Sequence, residues 1–197
     1  MSIKNFVLQD INRVYSKNGC FRNIYRFLVI PYFKIITLFR FIEYLEMHNH
    51  KLLGGGISLI YLKKCGKYNC EIPKGICMGS GIFFPHNFPV VINCGTKIGE
   101  NVIIHPNVLI GGSRNKEGRP EIGNNVFLGN GCKIVGNCKI GNWCFVSPGA
   151  MVTKNIPDGS TVGYGLNNII GANGKEMVMY YLTEKQRISS IVVETKH

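Results

Sequence analysis

The amino-acid sequence predicts a mostly β fold. It is a solenoid whose coil turns a corner every six residues, with an α-helical region before it and a short helical tail after it. Two observations carry this expectation. From Ile98 the chain reads in sixes: "IGENVI", "IHPNVL", then after an interruption "IGNNVF", "LGNGCK", "IVGNCK", "IGNWCF", "VSPGAM" and "VTKNIP". Ahead of the repeat, apolar residues recur at helical spacing instead. A period of six fits neither an amphipathic helix nor a hairpin alternation, but it fits stacked coils that cover one another's apolar ends.

Residues 1–70 read as helical. Ile3, Phe6, Val7, Ile11 and Val14 share one helix face. Pro31 suits the first turn of a second helix, in which Ile35, Leu38, Phe39, Ile42 and Leu45 make the buried side. The "GGG" at 54–56 is expected to break the chain before a third apolar segment, "ISLIYLKK".

Residues 71–170 form the repeat domain. Position one of each hexad is Ile, Leu or Val and must fill the interior. Position five is Val, Cys, Ala or Ile and must face inward near the next corner. Gly or Asn between them permits the turns. Cys132, Cys138 and Cys144 all occupy position five, so they read as small buried hydrophobes on three different sides of the coil, with no shared metal and no disulfide. Ile72, Met78 and Phe84 begin an earlier set of hexads. The next core position after Phe84 is Ile92, eight residues on instead of six, which places a bulge in "FPHNFPVV" and His86 within it. "GGSRNKEGRPE" has no aliphatic core residue and reads as a loop thrown out over 111–121. Residues 171–197 form the tail, where Thr183 and Gln186 of "TEKQRISSIVV" have capping-box spacing and predict a short helix.

The formal net charge is +12. Before Glu71, eleven Lys and Arg stand against three Asp and Glu, so the positive charge is concentrated there. No nucleic-acid-binding motif accompanies the charge, and nucleic acid is not expected as a partner. The basic, aromatic N-terminal region suits either packing on the next domain or contact with an anionic membrane surface. No secretory signal and no run of about 20 apolar residues is present, so a cytoplasmic protein is expected, with possible peripheral contact at the inner membrane surface. The eight cysteines are then expected as reduced thiols.

The stretch "EIPKGICMGSGIFFPHNFPVVINCGTKIG", followed by "IGG", a loop and "RPEIGNNVFLGNG", resembles the hexapeptide-repeat, left-handed β-helix acyltransferases. It looks like their serine acetyltransferase branch, and within it is most similar to sugar O-acetyltransferases of polysaccharide biosynthesis. The likeness covers residues 71–170. It implies left-handed coils, a homotrimer with sites between subunits, acetyl-CoA as acyl donor and no metal. The resemblance makes His86 the general base and Glu71, fifteen residues earlier, the carboxylate that orients it. The family usually has Asp at the position of Glu71. An imidazole titrates near neutrality, so His86 needs no large shift to act. His105, at position two of its hexad, is the runner-up base; otherwise it is a solvated surface residue.

Acetyl transfer also needs oxyanion donors and a coenzyme groove. A backbone N–H of Gly111 or Gly112 is the candidate donor. Arg114, Lys116 and Arg119 in the loop are candidates to meet phosphates or a charged acceptor. The resemblance assigns Asn130, Pro148, Thr153 and Lys154 to the coenzyme. The family's Gly-x-Pro-Ala segment is replaced here by "GYGLNNII".

For the acceptor, the serine enzymes carry Asp before the base and an Arg-His pair before the proline that closes the loop. Here Pro85 precedes His86, and Gly118 and Arg119 precede Pro120. A lost charge-assisted contact costs about 1.5–3 kcal/mol. The helical region is also shorter than is typical of those enzymes. These points lead to a saccharide hydroxyl on a capsule, exopolysaccharide or other glycan precursor as the expected acceptor. Serine O-acetylation in cysteine biosynthesis and a non-catalytic scaffold are the alternatives. A zinc-dependent hydratase would need about three converging histidines, and the repeat holds only His86 and His105.

Overall fold

The computed structural model describes residues 10, 31–86, 89–112 and 118–182. Helix α1 spans Pro31–Met47 and α2 spans Lys51–Lys67. Proline at the first position of α1 has no N–H to leave unsatisfied there. Ile35, Phe39, Ile42 and Leu45 are buried, as their spacing predicts. The "GGG" stretch does not break the chain but lies inside α2. A Cβ on Gly54 would sit 3.8 Å from that of Leu45, so the glycine lies where the two helices approach. Tertiary packing overrides glycine's low helix propensity at this point.

The solenoid is a three-sided prism. Sheet I stacks β1 (Cys70–Glu71), β3 (Val90–Ile92), β6 (Val108–Gly111), β9 (Lys133–Val135), β12 (Ala150–Val152) and β14 (Gly165–Leu166). Sheet II stacks β2 (Cys77–Met78), β4 (Lys97–Ile98), β7 (Glu121–Ile122) and β10 (Lys139–Ile140). Sheet III stacks β5 (Ile103–Ile104), β8 (Phe127–Leu128), β11 (Phe145–Val146) and β13 (Thr161–Val162) in parallel, closed by β15 (Ile169–Gly171) antiparallel to β13. Each coil visits II, III and I in turn. Partners in regular coils are three hexads apart, as in Leu128↔Val146 and Ile92↔Ile110.

Position-one residues Ile98, Ile104, Ile110, Ile122, Leu128, Ile134, Ile140, Val146 and Val152 are all buried. So are the position-five residues, Cys132, Cys138 and Cys144 among them. The three cysteines lead into β9, β10 and β11, on three different sheets, and all are free thiols. Burial pushes the thiol of Cys132 up to about 12, so it stays protonated.

The two interruptions are visible in the register. Cys77 pairs with Lys97 and Phe83 with Ile103, each two residues beyond the regular separation. The two extra residues lie after Phe84, at the corner between sheets III and I. Lys97 pairs with Glu121, six residues beyond regular, across the loop after Gly111 at the corner between sheets I and II.

The three outer faces differ. Sheet II carries Lys97, Glu121 and Lys139 to solvent. Sheet III carries Phe127 and Phe145, covered by α3 (Gly174–Tyr181), whose Val178 is fully buried against them. The helix of the tail thus falls on "GKEMVMYY"; the stretch where it was expected, from Thr183, lies outside the described residues. Sheet I turns Glu71, Val91, Leu109, Lys133, Met151 and Leu166 outward in one column.

A buried ion pair joins the helices to the first coil. Arg40 of α1 donates from Nε to Asp10 Oδ2 at 3.0 Å, from Nη1 to Met78 O at 2.7 Å, and from Nη2 to Gly79 O. Asp10 Oδ1 accepts from the N–H groups of Gly81 and Ile82 at 2.5 and 3.0 Å. Burial raises the Asp10 carboxyl above its usual range even against the pull of Arg40. The clasp grips Met78 to Ile82, just ahead of Phe84 and the bulge.

Candidate active site

The bulge after Phe84 sets the site. Phe84 is fully buried and holds the strand end, and the chain then leaves the stack so that His86 is exposed. One coil further on, at the same corner, Ile104 is buried and His105 follows it. The two imidazole rings come together, with centroids 5.8 Å apart and planes at 61°. His105 is not a solvated residue. Its other side packs on Phe127 at 4.8 Å, and Phe127 stacks on Phe145 at 4.5 Å and on Tyr181 of α3 at 4.4 Å. Burial, and then the charge of His86, hold the His105 imidazole below its ordinary pKa of 6.5.

Glu71 lies on β1 beneath Val91, exposed on the outer face of sheet I. No hydrogen bond joins these two described residues, Glu71 and His86. Asn130 and Pro148 stand exposed at the same corner as His86, in later coils. A Cβ on Gly129 would meet Pro148 N at 2.6 Å, so the coils stack closely there.

The other candidates occupy the opposite corner. Gly111 ends β6, and a Cβ on it would lie 3.0 Å from Asn93 Nδ2. Arg119 folds back over Gly112, donating from Nε to Cys94 O at 3.2 Å and from Nη1 to Gly118 O at 3.0 Å. Thr153 also lies at this corner, fully engaged with Asn167: its N–H and Oγ1 bond the amide at 2.7 and 2.8 Å. Lys154 beside it is exposed. Arg114 and Lys116 lie outside the described residues. Within one protomer the width of sheet I therefore separates His86 from Gly111, Gly112, Arg119, Thr153 and Lys154. Among the described residues no three His, Cys, Asp or Glu side chains converge as a metal site.

The ring stack is what sequence reasoning missed. Its signal was present: Phe127 and Phe145 hold the outward sixth position three hexads apart, where Lys133 and Lys139 stand on the other two sheets.

A model of the bacterial transferase hexapeptide (six repeats) matches residues 119–154. Serine acetyltransferase of Helicobacter pylori is 29% identical over 155 residues, covering 77% of this chain and 89% of its own. These homologues indicate an acetyl-CoA-dependent acyltransferase. A Staphylococcus aureus serine acetyltransferase is 36% identical to this chain over 102 residues, 51% of this chain and 39% of the relative. Among solved structures, serine acetyltransferase of Brucella abortus in complex with coenzyme A superposes with a TM-score of 0.71 at 24% identity, covering 85% of this chain and 67% of that one. Neisseria gonorrhoeae serine acetyltransferase in complex with serine does so with 0.67 at 23%, covering 82% and 66%. At these identities the superpositions bear on the fold.

These relatives overturn the expected saccharide acceptor and the closeness to sugar acetyltransferases. The inference from chain length fails outright, because 155 aligned residues span 89% of the H. pylori enzyme, which is therefore also short. The missing aspartate before His86 removes one contact, but an absent contact to one acceptor is not a contact to another.

Proposed function

We propose that this acyltransferase moves an acetyl group from acetyl-CoA to the hydroxyl of L-serine. The observation that carries the reading is the match, along most of both chains, to an enzyme named for that substrate. His86 takes the proton of the serine hydroxyl as its oxygen attacks the thioester carbonyl. A new C–O bond forms, the C–S bond breaks, and the imidazolium returns the proton to the departing thiolate. Glu71 orients His86 from sheet I. The exposed corner bearing Asn130 and Pro148 offers the coenzyme a path that ends at His86. Lys154, brought from the opposite corner of a second copy, supplies a cation for its phosphates.

The acting unit is a homotrimer with sites between subunits. Two features support it. The outward column of sheet I is largely apolar, with Met151 38% and Leu166 62% exposed. A second copy packed there would also bring its own opposite corner, with Gly111, Gly112 and Arg119, toward His86. Those groups then provide an oxyanion donor and a partner for the serine carboxylate. The outer half of α2 suits contact with an anionic membrane surface: it shows Leu52, Leu53, Leu59 and Ile60 with Lys63 and Lys67, and the helix has no acidic residue.

The test is release of free coenzyme A with L-serine as acceptor. Turnover is expected, and His86→Ala should lower kcat by about 100-fold or more with the melting temperature retained. Turnover with glycans but none with serine would overturn the assignment.

A further inference from the structure

The structure assigns His105 a positioning role. We propose that its ring, wedged between His86 and Phe127, sets the plane of the His86 ring, and that the site works only while His105 is uncharged. The proposal rests on His86 being the base of the proposed acetyl transfer.

Three observations carry it. The two imidazoles are nineteen residues apart in the chain, yet the two-residue bulge and the coil stack place them edge to face at 5.8 Å. The His105 ring is braced from behind. Phe127 meets it at 4.8 Å, and Tyr181 and Phe145 back Phe127 at 4.4 and 4.5 Å. A chain of rings thus runs from α3 through β8 to the exposed His86. The two histidines also differ in surroundings: His86 is exposed, and His105 is half-buried against apolar rings.

That difference divides the labour. When His86 receives the hydroxyl proton, its positive charge appears beside His105. Two adjacent imidazoles repel once both are charged, and the desolvated one is the costlier to charge. The proton therefore stays on His86, from which it must leave to the thiolate. His86 is the titratable group whose charge reaches His105 from the bulge; on the other side His105 meets the ring of Phe127, backed by Phe145 and Tyr181.

The experiment compares the full-length wild type with His105→Phe, His105→Gln and Phe127→Leu. The readouts are kcat, KM for both substrates, and kcat/KM against pH. His105→Phe and Phe127→Leu are expected to lower kcat by about tenfold with both KM values within about twofold, because orientation and not binding is lost. His105→Gln, a neutral polar side chain, should recover part of the rate. On the acid side, wild-type kcat/KM should steepen from about tenfold to about hundredfold per pH unit once His105 charges, while His105→Phe stays at about tenfold. Wild-type kcat and a single-proton acid limb in both His105→Phe and the parent would overturn the proposal.

A second measurement separates it from the choice of acceptor. In protein labelled with 15N at histidine, the His86 ring signals should move as His105 titrates, and this inflection should vanish in His105→Phe. If that holds while serine is not turned over, the acceptor is wrong and the coupling stands. If the His86 signals ignore His105, the coupling is wrong whatever the acceptor.

Discussion

Each hexad position carries its own steric demand, and single residues answer it. Position two is glycine where coils touch. A Cβ on Gly99 would sit 2.7 Å from the backbone of Gly123, closer than real contacts allow. Position four is left-handed, with Asn101, Asn107 and Asn125 at φ of 55°, 60° and 55°. Asparagine tolerates that region; Trp143, at 56°, holds it only because its ring is buried beside α3. Gly99→Ala should therefore destabilise by about 1–3 kcal/mol, seen as a lower denaturant midpoint with an unchanged slope. His105 supplies a pH prediction. Its native pKa lies below the ordinary 6.5, so the unfolded chain binds more protons between the two values. Stability should fall as pH drops from 6.5 through that window and gain no further loss from this group below it. From pH 7 to 5 the melting temperature of the wild type should fall relative to that of His105→Phe.

Elements show where a sequence pattern needs its neighbours. The apolar spacing of α1 was legible because one face is buried and the other is not. Helix α2 was misread because it is apolar on both sides: Tyr61 and Cys65 face the core, while Leu52, Leu59 and Ile60 face out. Such a helix has no clear stripe to read, and its three glycines look like a break. Its outer face also yields a prediction. Leu59→Ser with Ile60→Ser should abolish co-sedimentation with phosphatidylglycerol vesicles while leaving the melting temperature within a few degrees, since both side chains are exposed. Wild-type protein that does not bind such vesicles at low salt would remove the membrane reading.

At the scale of the whole molecule, helices and solenoid share one core, and the Arg40 clasp ties them. Arg40 is buried with Asp10, and its other donors satisfy the carbonyls of Met78 and Gly79. Removing one partner of a buried pair leaves a charge without solvent or counter-ion. Arg40→Ala should cost about 3–5 kcal/mol in chemical denaturation. It should also lower acetyl transfer at temperatures where the fold survives, because the clasp holds the strand that leads into the bulge. Arg40→Ala with wild-type stability would show that the clasp contributes nothing. The exposed pair Lys97–Glu121, at 2.5 Å on sheet II, should by contrast tolerate Lys97→Ala.

The period of six by itself determined the solenoid, its core positions, the loop after Gly111 and the slip that puts His86 outside the stack. These are local: a core residue every six positions either is there or is not, and a break in register is countable along the chain. What only the tertiary structure decided depends on which corner a residue occupies. His86 and His105 share one corner in successive coils, while Gly111, Gly112, Arg119, Thr153 and Lys154 lie at another. Closeness along the chain does not reveal that arrangement, since three hexads return the chain to the same edge and one hexad carries it to the next. The bracing of His105 by α3 is of the same kind, because a helix some seventy residues away packs on a face that the repeat alone leaves open.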